Sequence, residues 1–74
     1  MYTAKIGFSV PSASTVTVEI YDSTGKLIAV PVDEDKPAGI YKVEFDGNEL
    51  TRGIYYYQLR INEYLISKRF FIIK

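Results

Sequence analysis

Apolar and polar residues alternate with a period of two in segment after segment of this chain, in runs rich in Val, Ile, Thr, Tyr and Phe. Successive side chains of a strand point to opposite faces, whereas a helical face recurs about every 3.6 residues, so the pattern predicts strands and no helix. In residues 4–10, Ile6, Phe8 and Val10 alternate with Lys5, Gly7 and Ser9, and Pro11 ends the run by removing an N–H donor. In residues 15–21, Val16, Val18 and Ile20 take one face and Thr15, Thr17, Glu19 and Tyr21 the other, as expected of a strand with one wet face. Asp22-Ser23-Thr24-Gly25 is a turn signal that predicts a hairpin into residues 26–30, with Gly25 where a positive φ is needed.

Pro31 and Pro37 bracket the acidic run Asp33-Glu34-Asp35, which reads as a mobile loop, and a Pro just past an apolar run marks a sheet edge or a strand end. Residues 40–45 put Tyr41, Val43 and Phe45 on one face before the turn Asp46-Gly47-Asn48. After Gly53, Tyr55, Tyr57, Leu59 and Ile61 share a face in residues 54–61, opposite Ile54, Tyr56, Gln58 and Arg60. Asn62-Glu63 is the tight turn into a last strand, residues 64–74, whose two phases are both apolar; Ile66, Phe70 and Ile72 are expected inward. Roughly six or seven short strands with no helix pack best as an immunoglobulin-like antiparallel β-sandwich, although a small barrel would use the same alternation. The predicted core is Val16, Val18, Ile20, Val43, Phe45, Tyr55, Tyr57 and Leu59.

Seventy-four residues hold one small domain, residues 1–74, which buries only about 60% of the surface its unfolded chain exposes. No stretch approaches the roughly 20 apolar residues that span a bilayer as a helix. Nine Lys and Arg balance nine Asp and Glu, so no basic stripe points to nucleic acid. With no Cys and no His there are no disulfides and no common zinc site, and the usual general base and best nucleophile are missing.

Asp33-Glu34-Asp35 lacks the alternating ligands and turn glycine of a calcium loop, and a solvated segment is the simpler reading. Glu19 and Glu44 would make a glycosidase-like carboxylate pair only if the fold brought them together, and exposed strand charge explains both. Of the seven tyrosines, Tyr55 and Tyr57 fall on the core phase and need rim partners for their hydroxyls, while Tyr56 is the candidate for an exposed ring. Phe70-Phe71-Ile72-Ile73, apolar on both phases and flanked by Lys68, Arg69 and Lys74, is either covered on both faces or a docking edge whose charges oppose aggregation.

Val10-Pro11 closing a strand, Tyr21-Asp22 with Gly25-Lys26 at a turn, Ala38-Gly39 and Gly53-Ile54-Tyr55 each opening a strand, and a basic last strand from Lys68-Arg69 to Lys74 occur in this order over nearly the whole chain. The set resembles the C-terminal sorting domain of proteins exported by the bacterial type IX secretion system. It is also similar to the immunoglobulin-like domain of the flagellar hook-capping protein, which shares the Asp46-Gly47 turn and often has Trp where Phe45 stands. The sorting family usually begins with a Pro-Asn-Pro segment, and this chain starts at Met1-Tyr2 without it.

The resemblance implies a non-catalytic domain, without cofactor or small-molecule substrate, taken from the C-terminus of a larger protein. It would carry that cargo through the periplasm to the cell surface or outside, recognised by export machinery at the outer membrane; the last strand, apolar on both phases and flanked by charge, makes Lys68, Arg69, Phe70, Phe71, Ile72, Ile73 and Lys74 the expected recognition surface. The alternatives are a structural immunoglobulin-like module of hook-cap type and a carbohydrate-binding accessory module using exposed Tyr rings.

Overall fold

The computed structural model describes residues 3–48 and 50–73. Six strands follow in order: β1 (Thr3–Val10), β2 (Ser14–Asp22), β3 (Leu27–Lys36), β4 (Gly39–Asp46), β5 (Gly53–Ile61) and β6 (Tyr64–Ile72). They form two separate antiparallel sheets, one of β1 and β4 and one in the order β3-β2-β5-β6. The expected immunoglobulin-like sandwich is therefore the fold, and the barrel is not.

The period of two does what it predicts on β2, where Val16, Val18 and Ile20 are 0% exposed at the centre of the core. Ile6, Phe8 and Val10 meet them from the two-stranded sheet, with Leu59, Ile61 and Val32 from β5 and β3. Val43, Phe45 and Tyr57 pack against this cluster half-buried. Tyr55 is buried beside it, stacked on Phe70 with ring centroids 5.9 Å apart, and its hydroxyl donates to the carbonyl of Thr51 at 2.8 Å. The rim partner that a buried phenol needs is thus supplied locally.

The acidic run is not a loop. Asp33, Glu34 and Asp35 lie within β3, opposite Thr17, Val16 and Thr15, and Thr15 Oγ1 donates to Asp35 Oδ1 at 2.8 Å. Pro31 is tolerated because β3 is an edge strand and two irregularities interrupt its register. Val30 and Pro31 together oppose only Glu19, and Ile28 falls between the pairs Ile20↔Ala29 and Tyr21↔Leu27. A proline at a bulge on an edge forfeits no ladder hydrogen bond. Beyond Lys36 the chain crosses to the other sheet, where the Tyr41 hydroxyl donates to the Pro37 carbonyl at 2.6 Å and the Lys36 ammonium sits 4.6 Å from the Tyr41 ring centre.

Side-chain caps fix the turns. Asp22 Oδ1 accepts from the Thr24 hydroxyl, the Thr24 N–H and the Lys26 N–H, at 2.6, 2.9 and 3.0 Å. These bonds, the Thr24 hydroxyl foremost, hold its carboxyl below the usual carboxylate range. Gly25 takes φ 89° in this turn. At the β5–β6 turn Asn62 takes φ 52°, a conformation Asn tolerates better than most residues.

Candidate functional site

The last strand pairs only with β5, so one edge of β6 is unpaired. Its inner phase is Tyr64, Ile66, Lys68, Phe70 and Ile72, opposite Ile61, Leu59, Tyr57, Tyr55 and Gly53. Ile72 is 1% exposed, and Phe70 is half-buried between Tyr55 and Tyr57. The expected inward phase is correct, but Ile66 is 42% exposed and Tyr64 78%. Two strands are laid over four, and the smaller sheet stops short of this half of β6.

The outer phase has no sheet over it. Phe71, 49% exposed, lies opposite Ile54, and Arg69 opposite Tyr56, which in turn faces Tyr21 on β2. The Arg69 guanidinium stands 5.5 Å from the Phe71 ring centre, close enough for a cation–π contact. The result is an outer patch of Ile54, Tyr56 and Phe71 capped by one cation.

The seven residues expected to form one recognition surface thus divide. Phe70 and Ile72 belong to the interior, and Lys68, Arg69, Phe71 and Ile73 reach solvent. Lys74 lies outside the described residues. Ile54 and Tyr56 join the outer patch from β5. An apolar residue such as Ile54 on the otherwise polar phase of an amphipathic strand is the signal that finds them.

The catalytic and metal alternatives lose their geometry. Glu19 lies on the outer face of the four-stranded sheet beside Gln58, and Glu44 on the outer face of the two-stranded sheet, so the sandwich separates them. The pleat of β3 sends Glu34 to the opposite face from Asp33 and Asp35, and no group of three potential metal ligands gathers among the described residues. No helix of the described residues is long and apolar enough to cross a membrane.

One family is matched, the secretion system C-terminal sorting domain, over residues 3–74. The chain belongs to that family. No curated protein and no solved structure matches it. The sorting domain marks cargo that is secreted or displayed on the cell surface, and this class of domain is generally non-catalytic. The expected likeness to the hook-capping domain is not confirmed by this match.

Proposed function

We propose that this chain is a non-catalytic signal that directs a cargo through the periplasm and the type IX secretion system. Proteins of the export machinery at the outer membrane would recognise the last strand, Lys68 to Lys74. The family match over residues 3–74 carries this reading. The unpaired edge of β6 and its exposed Arg69, Phe71 and Ile73 support it, because a module without catalytic groups acts through its surface and part of the chain's exposed apolar area lies here beside a cation. In the proposed parent the domain ends the polypeptide, with the cargo before it.

Fusion to the C-terminus of a signal-peptide-bearing reporter, with a Pro-Asn-Pro segment restored ahead of Thr3, tests it in a cell that has this machinery. The reporter is expected outside the cell. Replacing Lys68 and Arg69 by Ser is expected to reduce export while leaving the folded domain protease-resistant. A fusion that folds and stays in the periplasm would overturn the reading.

A further inference from the structure

In its own sheet β4 pairs with β1 alone, so its other edge has no ladder partner. The short connection at residues 37–38 sets the start of β4 beside the end of β3, which belongs to the other sheet and does not pair with it. A segment ahead of Thr3 leaves from β1, and the free edge of β4 lies on the far side of β4 from β1. Proteins commonly guard such edges with prolines, bulges or charged side chains. On β3 the guards are Pro31 and two register irregularities. The register of β4 is unbroken from Gly39 to Asp46, so its only guards are the charges of its outer phase.

Those charges have a particular order. Tyr41, Val43 and Phe45 point inward and are half-buried, while Lys42 and Glu44 are exposed on the outer face. Lys42 lies opposite Gly7 and Glu44 opposite Lys5, and neither makes an ion pair among the described residues. Read from either end, Tyr41-Lys42-Val43-Glu44-Phe45 runs from an aromatic through a charge to a central valine, with the two charges opposite in sign. Charged edge residues repel most added strands, but this order is complementary to its own reverse.

We infer that β4 pairs antiparallel with β4 of a second copy of this chain, about a two-fold axis through Val43. Opposite residues of a ladder share a face, so a two-fold between identical strands passes through a residue pair and not between residues. At Val43 the axis sets Lys42 against the partner's Glu44 and Glu44 against the partner's Lys42, with Tyr41 against the partner's Phe45 on the inner phase. Opposite charges and aromatic pairs across a ladder are stabilising. An axis through Lys42 or Glu44 instead opposes like charges, one through Phe45 puts Glu44 against the partner's Asp46, and one through Tyr41 forms no charge pair. The other edges lack this match, since β1 has Lys5 as its one charged residue and an axis at the middle of β6 sets Lys68 against itself. Pairing turns two marginal two-stranded sheets into one of four. It leaves β6 open, because the Lys36–Tyr41 contact puts β4 on the β3 side of the sandwich and β6 is the opposite edge of the larger sheet.

The inference does not depend on export and is read on the 74-residue chain in solution, by sedimentation equilibrium and by backbone amide resonances over a dilution series. A monomer–dimer equilibrium is expected, with concentration-dependent shifts at residues 39–46 and slowed amide exchange along β4. Lys42→Glu and Glu44→Lys should each weaken self-association at least about fivefold, because both ladder pairs become like-charged. Both positions are exposed, and the amide spectrum of each variant is the control for folding. An equimolar mixture of the two variants should associate about as well as the parent, since each then meets the opposite charge at both positions. The chain carrying both exchanges should also recover self-association. Four results would each overturn the inference: no dimer at about 1 mM chain, shifts centred on β1, β3 or β6, self-association unchanged by Lys42→Glu, or a mixture that associates no better than either variant alone.

Discussion

Asn62 Nδ2 donates to Ser14 Oγ at 3.0 Å, joining residues 48 apart in the chain. The same side chain accepts the Thr15 N–H through Oδ1 at 3.0 Å, its backbone N–H donates to the Thr15 carbonyl, and Ser14 Oγ passes a bond on to the Ser12 carbonyl at 2.7 Å. One residue at the β5–β6 turn therefore satisfies the backbone where β2 begins, while adopting the positive φ the turn requires. Asn62→Ala should lower stability by about 1–2 kcal/mol, since it loses these side-chain bonds and leaves a Cβ in a left-handed conformation without local compensation. Asn62→Gly should cost less than Ala, because glycine keeps the φ and loses only the bonds. Urea midpoints check the order; a Gly variant no better than Ala would mean that backbone conformation is not part of the effect.

Gly25→Ala should cost more than about 1 kcal/mol, because φ 89° is outside what an alanine adopts at low energy, even though no atom lies within 4 Å of the added Cβ. Gly53, at φ 157°, should respond in the same direction. Unchanged denaturant midpoints for both variants would show that these turns tolerate a side chain.

Asp22 links the first hairpin to pH. Its folded carboxyl titrates below the ordinary value of 3.8, so its contribution is present above that value and is lost as pH falls through the lower, folded one. Asp22→Asn should destabilise the domain at neutral pH and flatten the acid limb of its stability curve. Thermal midpoints measured from pH 7 down to about 2 check this, and an acid limb identical in both proteins would remove Asp22 as a cause.

Adjacent residues of β6 should separate folding from recognition. Ile72→Ala removes a side chain 1% exposed and should cost about 2–5 kcal/mol. Phe71→Ser changes a side chain 49% exposed on the outer face and should keep the unfolding free energy from urea titration within about 1 kcal/mol of the parent while reducing export of a reporter fusion. Export unaffected by Phe71→Ser would take the outer phase of β6 out of the recognised surface.

The faces of the strands were legible in residue order because alternation is a local property of extended chain. Val16, Val18 and Ile20 could point only together, and the pleat places Tyr41, Val43 and Phe45 on one side whatever packs there. The turns were legible for a similar reason, since Asp22, Gly25 and Asn62 satisfy the conformations of their own segments. Family membership was legible in the order of those same pieces.

Whether a given face is covered, and by what, depends on strands far apart in sequence. Asp33-Glu34-Asp35 has charge enough to read as a loop, yet it extends because β2 offers a ladder edge and the bulge at Val30 and Pro31 absorbs the proline. Ile66 and Ile72 occupy the same phase of one strand with similar chemistry, and one is half in water while the other is sealed. Only the pairing of β1 with β4 alone, which makes the smaller sheet two strands wide, decides that difference, because hydrophobic burial is set by the surface that comes to lie opposite a side chain and not by the side chain's own order in the chain.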